Sequence, residues 1–573
     1  MTDPTPSVRS KKGINAIVHF ARCAPPLAET SATATLTPPA VPSDAFPQKP
    51  SRLRDGVVTT LPLPDHRSAL LPSERTHSSG VPMSDVRGRA AATLASGTSW
   101  VRIGQRSGLH CCTNGPYDPT SQPYRSRCVS SLNARPYLIA ADYREGFEAD
   151  GRLVRVLDGL LVVALCLLLA FGPLAFGAVQ EWAMFVLEVG AAGCVVLWVL
   201  RELISDRVEV RRNALFLPIT LFAALVCAQL LAGRTAYWYV TWRSGLLWAA
   251  YGMIFFIATQ CLRRTVWIKT FALFFMAFGF LVALFAMVQQ FTWNGNLYWV
   301  VPNRYGGMVY GPYVNHAHYA GLMELLVPIP LVFAMMNRWT RSLRVLFGFV
   351  ALLMASTIFL SRSLGGMIAF GAQMVVLCAL AFFREPSRRR VPLILLIVAS
   401  FAVWLALLSP GGIGERIARL HDPLGKAGAG DRLAIVKDSL KMVASRPVLG
   451  WGLGTFPEIY PSFRSFYTNY FVNEAHNDYV QMAVETGLIG FALGCWFIAL
   501  FFSRGLSRIE SWRTEVRAAA TLASIIGVTG ILVHSLSDFN LQIPANAALF
   551  FALAALATGS PDAHVARSRE HSQ

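Results

Sequence analysis

"LVRVLDGLLVVALCLLLAFGPLA", residues 153–175, carries only two charges, Arg155 and Asp158, both near its start. As a helix rising about 1.5 Å per residue, a run of this length crosses the ~30 Å hydrocarbon core of a bilayer. Working outward, further apolar runs recur near 182–200, 214–232, 245–262, 267–291, 316–337, 345–360, 364–383, 391–409, 478–503, 518–537 and 542–559. The pattern predicts an all-α integral membrane protein of about twelve transmembrane helices. One large extracytoplasmic loop with short amphipathic helices interrupts them.

Composition points the same way. The 573 residues are 54% hydrophobic and 15% charged, with a mean hydropathy of +0.44, whereas a soluble protein carries about 25% charge. The net charge of +18 is not gathered into one patch. It lies in short clusters between the apolar runs, as in a polytopic membrane protein, and this argues against a nucleic-acid partner. The clusters are Arg201–Arg207–Arg211–Arg212, Arg263–Arg264–Lys269, Arg338–Arg341–Arg344, Arg384–Arg388–Arg389–Arg390 and Arg504–Arg508–Arg513–Arg517. The intervening short loops are assigned only Arg234, Arg243, Arg304 and Arg362. That asymmetry predicts both termini in the cytoplasm and residues 410–475 outside, in the periplasm of a Gram-negative cell.

The expected organisation follows. Residues 1–145 form a disordered, basic, Pro/Ser-rich cytoplasmic extension, within which Met83 offers a later translation start. No apolar h-region follows its early basic residues, so it is not a signal peptide. Residues 146–409 hold helices 1–9, 410–475 the large periplasmic loop, 476–560 helices 10–12, and 561–573 a cytoplasmic tail. The ten cysteines show no CxxC pair and no zinc spacing, and those in apolar runs read as packing residues.

Four stretches hold polar residues where a membrane protein keeps few. In "NEAHNDYVQMAVETGLIGF" (473–491), His476, Asn477 and Asp478 stand at the mouth of an apolar run. Asn477 or Asp478 suits a helix cap, and the positive helix start favours a neutral imidazole that accepts a proton as a general base. Glu485 lies nine residues on and faces the opposite side of the helix. Upstream, "GDRLAIVKDSLKMVASRPVLGWGLGTF" (430–456) predicts an amphipathic helix lying against the membrane or the bundle, with Leu433, Val436, Leu440 and Val443 as its apolar stripe, ended by Pro447. Its "GWGLG" lacks a βαβ context. Two readings stay open, a tight turn and a set of backbone N–H groups facing a phosphate. "HAHYAG" (316–321) follows Asn315; two histidines at i, i+2 share no helical face and make a poor metal site, so capping by Asn315 is the expectation. In "IFLSRSLGGMIAF" (358–370), Arg362 is isolated among apolar residues, which calls for an anion or a carboxylate partner.

Taken in chain order, "SRSLGG", the loop "GDRLAIVKDSLKMVASRPVLGWGLGTF" and "AHNDYVQMAVETGLIGF" resemble the O-antigen ligase and O-antigen polymerase superfamily of bacterial membrane glycosyltransferases. "YGPYVNHAHYAGLMELLVP" resembles that family's Asn-containing stretch before a mid-chain span. The resemblance covers roughly 310–500, and residues 1–145 have no counterpart. It implies a glycan donor on undecaprenyl diphosphate at the outer face of the bacterial inner membrane, with lipid A-core or another glycan as acceptor. It further implies Arg362 and Arg432 on the diphosphate, His476 as base, inversion at the anomeric carbon, and no metal or other cofactor. Asn477, Asn315 and Arg243 complete the candidate set as supporting residues. Ligase is read from the His-Asn motif and the single large late loop. An O-antigen or exopolysaccharide polymerase extending lipid-linked repeats needs the same groups and stays open. A polysaccharide transporter would call for related halves with ionisable pairs at mid-membrane, and none is evident in the sequence.

Overall fold

The computed structural model describes residues 152–205, 209–303, 308–384, 429–468 and 471–559. The expected N-terminal extension, the apolar run near 391–409, residues 410–428 and the C-terminal tail from 561 lie outside the described residues. The chain is an all-α membrane protein. Its described helices are α1 (Arg152–Leu174), α2 (Glu181–Ile204), α3 (Phe216–Leu231), α4 (Trp238–Cys261), α5 (Thr265–Phe291), α6 (His316–Leu326), α7 (Pro328–Met335), α8 (Arg341–Leu360) and α9 (Leu364–Arg384). After the gap come α10 (Ala429–Ser445), the short α11 (Phe456–Ile459), α12 (Asp478–Leu506), α13 (Val516–His534) and α14 (Pro544–Thr558). One two-residue hairpin pairs Asn296–Leu297 with Val301–Pro302.

Among the described residues, nine helices are long and apolar enough to cross a membrane, counting α6 and α7 as one span; α3 and α14 are apolar but shorter. Each predicted apolar run that falls on described residues is helical. One boundary moves in a way that matters. α4 begins at Trp238, ahead of the apolar run near 245, so Arg243 sits inside a helix and not in a loop. Hydropathy alone hides that turn because Thr241, Arg243 and Ser244 dilute it.

Burial separates two kinds of span. His316–Met335 and Val516–His534 are 83% and 78% buried inside the protein, while Glu181–Ile204 and Asp478–Leu506 are only 22% and 28% buried. Helices apolar on all sides belong in the interior, and α13 accordingly packs against α5, α6, α7, α9 and α14. Small residues make this possible: Gly527 lets α13 meet the Leu325 backbone, and Gly530 lies against Gln373 of α9. The peripheral spans instead turn Phe185, Val196 and Leu203 outward, as lipid-facing residues do.

The interior is not wholly apolar. Glu324 of α6 and His534 of α13 meet at 2.7 Å with side chains 0% and 1% exposed, and Gln373 donates to the carbonyls of Glu324 and Ile526. This ionisable pair is not evident in the sequence. The two partners are 210 residues apart, and neither is conspicuous without the other.

Residues 429–484 build a small unit with its own core of Ile435, Met442, Phe456, Tyr460, Val472, Ala475 and Val484. α10 forms as expected, with much of its apolar stripe turned outward. Ile435, Asp438, Ser439 and Met442 are buried, whereas Leu433 and Leu440 are 57% and 53% exposed. Asp438 can be buried because Lys441 donates to it at 2.8 Å and Ser465 donates twice, from its backbone N–H and its hydroxyl.

The glycines of "GWGLG" fasten this unit to the bundle. α12 is broken at Gly487, whose φ of 66° and ψ of −173° are non-helical. The break frees backbone groups that would otherwise be paired within the helix. The strap at 447–454 takes them up: Trp451 N–H donates to Val484 O, Gly452 N–H to Glu485 O, and Leu488 N–H to Pro447 O. Gln229 of α3 bridges Leu449 O and Glu485 O. Gly450, Gly452 and Gly454 all have positive φ, and a Cβ on Gly450 would lie 2.5 Å from the Gly487 nitrogen. Of the two readings left open for "GWGLG", the turn is the one observed. The N–H groups of Gly450, Trp451, Gly452 and Gly454 are bonded within the protein and do not face a phosphate.

Candidate active site

His476 lies in the linker that enters α12. Asn477 is the N-cap of that helix: its Oδ1 accepts from Val480 N–H at 3.0 Å and its Nδ2 donates to Leu536 O at 2.9 Å. Asp478 accepts from the Ser535 hydroxyl at 2.6 Å and from Leu541 N–H at 3.1 Å. Tyr479 donates to Leu532 O at 2.7 Å. Three consecutive residues thus stitch the start of α12 to the end of α13 and the turn that follows it.

That stitching brings Asp538 opposite His476. The His476 Nδ1 lies 3.4 Å from Asp538 Oδ1, and the histidine ring packs edge-on against Phe539 at 5.0 Å. Asp538 is 2% exposed. Burial pushes its carboxyl up, but the hydrogen bond from His476 and the positive charge of the neighbouring Arg432 help to outweigh this and hold it below the usual carboxylate range. An ionised carboxylate only accepts, so the proton of a neutral His476 sits on Nδ1 and the Nε2 lone pair is left open.

Arg432, near the start of α10, donates to Ser537 O at 2.8 Å and reaches Asp538 Oδ2 at 3.8 Å, yet remains 46% exposed at its side chain. Arg362 sits on the turn between α8 and α9, exposed between the buried Ser361 and Ser363. Ser363 Oγ accepts from Gly366 N–H at 3.1 Å and so caps α9. Gly365 brings this turn against the same loop as Asp538, since a Cβ there would lie 2.6 Å from the His534 ring and 3.0 Å from the Ser537 hydroxyl. Arg362 makes no ion pair among the described residues.

Arg362 and His476 share a further property. Their φ values are 60° and 51°, in the left-handed region that non-glycine residues seldom occupy. Each costs about 1–3 kcal/mol and persists only where surrounding contacts impose it, a condition that clusters at functional sites.

The remaining candidates divide. Asn315 caps α6, accepting from Ala317 N–H at 2.9 Å, and donates to His318 Nε2 at 3.4 Å. His318 packs on the same Phe539 ring as His476, at 4.6 Å. The "HAHYAG" stretch therefore borders the site, but no group of three or more His, Cys, Asp or Glu side chains that could hold a metal occurs among the described residues. Arg243 pairs instead with Glu181 of α2 at 2.8 Å, and no described contact joins it to His476. Glu485 turns away from His476 toward Gly454 N–H and Gln481. Reading the sequence missed Asp538. The available signal was an acidic residue in "HSLSDFN", between two apolar runs at the end of the bundle that carries His476.

Residues 349–495 match the family described as O-antigen ligase. No curated protein matches the chain. The match makes this stretch, which runs from α8 into α12 and holds Arg362, Arg432 and His476, similar to the O-antigen ligase family.

Proposed function

We propose that the chain transfers a glycan from undecaprenyl diphosphate to an acceptor hydroxyl of lipid A-core, at the periplasmic face of the inner membrane, with inversion and without a metal. The observation that carries this is the pairing of His476 with an ionised Asp538 beside two solvent-facing arginines. Nε2 of His476 takes the acceptor proton as the hydroxyl oxygen attacks the anomeric carbon. The bond from that carbon to the phosphate oxygen breaks on the opposite face, and undecaprenyl diphosphate leaves with the electron pair. Such a leaving group needs fixed positive charge and not a proton, and the guanidinium groups of Arg362 and Arg432 suit phosphate oxygens in this role. Burial of Asp538 supports its part, since an ionised partner favours the imidazolium that forms during transfer. The basic loops at the other end of the bundle support a cytoplasmic location for both termini.

The acceptor defines the test. A strain deleted for the chain should accumulate long glycan chains on the lipid carrier and lose them from lipid A-core. Accumulation of single repeats would instead identify a polymerase, and an unchanged glycan profile would sink both readings.

A further inference from the structure

Behind the loop that carries His476 lies a cavity of about 170 Å³ that the transfer chemistry above does not use. One wall is α4, through Ser244, Trp248 and Tyr251; the other is Glu474, Gln481 and Glu485 at the start of α12. The amide of Gln481 donates both to Glu474 and to Glu485, the latter at 3.2 Å, and its oxygen accepts from Ala475 N–H at 2.8 Å. Glu485 is completed by Gly454 N–H at 2.8 Å. The carboxylate wall is thus held in place by the same residues that lead into His476.

Other polar groups around the cavity have no such completion. Tyr251 is 2% exposed, yet its hydroxyl makes no hydrogen bond among the described residues, and neither does the Ser244 hydroxyl. The Oε1 of Glu474 is also without a partner there. Ser244 and Glu474 are half-buried, and all three groups border the cavity with hydrogen-bonding capacity to spare. Trp248 adds an aromatic surface, fixed by Phe222 at 4.6 Å and Tyr251 at 5.9 Å.

We propose that this cavity binds one neutral sugar ring of the transferred glycan or of its acceptor, with the ring's hydroxyls on Glu474, Ser244 and Tyr251 and its C–H face on Trp248. The inference rests on the transferase reading and adds a subsite to it. The chemistry fits a sugar because aromatic rings take the apolar face of an amphipathic ligand while a few placed polar groups fix its orientation. The volume fits as well. At about 170 Å³ it lies below the ~300–1,000 Å³ of sites that take drug-sized ligands, in keeping with a single ring. Burial, and then the neighbouring Glu485, hold the Glu474 carboxyl well above the usual range, so it can donate to a sugar oxygen. An acidic sugar would bring a charge into a cavity whose lining holds no basic side chain, and would be refused.

Saturation-transfer NMR on the full chain in nanodiscs tests this with glucose, mannose, N-acetylglucosamine and glucuronate as probes. At least one neutral sugar should show transfer and glucuronate none. Ser244→Leu, which fills the cavity, should abolish the signal, and the near-isosteric Glu474→Gln should weaken binding roughly tenfold, as expected for one lost hydrogen bond to a carboxyl. Adding donor lipid extracted from the cell that carries the chain assigns the ring: displacement of the probe means donor, persistence means acceptor. Absence of signal from every neutral sugar, equal binding of glucuronate, or a signal unmoved by both variants overturns the proposal. Binding is read without turnover, so a chain that binds sugar but transfers nothing sinks the transferase reading alone. A chain that transfers but binds no probe sinks only the subsite.

Discussion

Two buried carboxylates at opposite ends of the bundle show what distinguishes a structural charge cluster from a site. Asp158 on α1 is paired with Arg201 of α2 at 3.0 Å and Arg263 at 3.4 Å, and Arg201 also holds Glu202 at 2.8 Å. Two acids meet two bases, and every side chain is at most 11% exposed. Asp538 is equally buried, but its partners are not. Arg432 is 46% and His476 24% exposed, and Arg362 nearby faces outward. The first cluster is neutral and closed. The second has surplus positive charge on groups that reach solvent, and only the second can take an anion.

If that contrast is right, His476→Ala has the largest effect. Transfer should fall ~10²–10⁴-fold, the range typical of a lost general base, with protein level unchanged. Asp538→Asn should approach the same loss, because an amide can reverse the histidine tautomer. Near-normal turnover of purified His476→Ala would move the base elsewhere. At the closed cluster the sign of the experiment reverses. Arg201→Ala should cost about 3–5 kcal/mol of stability by stranding Asp158 and Glu202, which is read as lower protein level and melting temperature. Turnover per folded molecule should stay close to normal, and a selective loss of turnover would erase the distinction drawn here.

Smaller effects sharpen it. Arg362→Lys and Arg432→Lys keep the charge but lose the two-pronged contact. Each should reduce transfer roughly ten- to a hundredfold and weaken donor binding, whereas His476→Ala should bind donor normally. Acid titration separates two carboxyls of opposite character. Asp538 is held below its usual range in the fold, so its contribution is present above pH ~4 and is lost as pH falls through its folded value. Glu474 is held above its usual range, so it costs stability as pH rises past the unfolded value. Glu474→Gln should therefore raise the melting temperature at pH 8 and leave it unchanged near pH 4, while Asp538→Asn should lower it at pH 8 more than near pH 3. The smallest expected effect is that of EDTA. Transfer should persist, and loss with recovery on one specific metal would reopen His316 and His318 as ligands.

Much of the bundle was legible because the signal is local. An apolar run of membrane length has few alternatives as a helix, and the caps at Asn315 and Asn477 act on N–H groups two and three residues away. What stayed hidden depends on distant segments. Asp538 lies 62 residues beyond His476, and Glu324 meets His534 only across two spans. The apolar stripe of α10 was legible, and Leu433 and Leu440 on it are exposed, as on a face laid against a membrane; the burial of Asp438 was not, because its partners Lys441 and Ser465 show only in the fold. Arg243 was assigned to a loop because its helix starts among polar residues.

The break in α12 has a consequence for engineering. Gly450 and Gly487 are so close that a Cβ on the first would collide with the nitrogen of the second, and a Cβ on the second would lie 2.2 Å from Val448 O. Neither stretch can be exchanged by itself, although they are separated in the chain by the whole segment that carries His476. In grafts or chimeras that transplant this loop, residues 447–491 form a single cassette, and a junction placed inside it would part the two halves of one clasp.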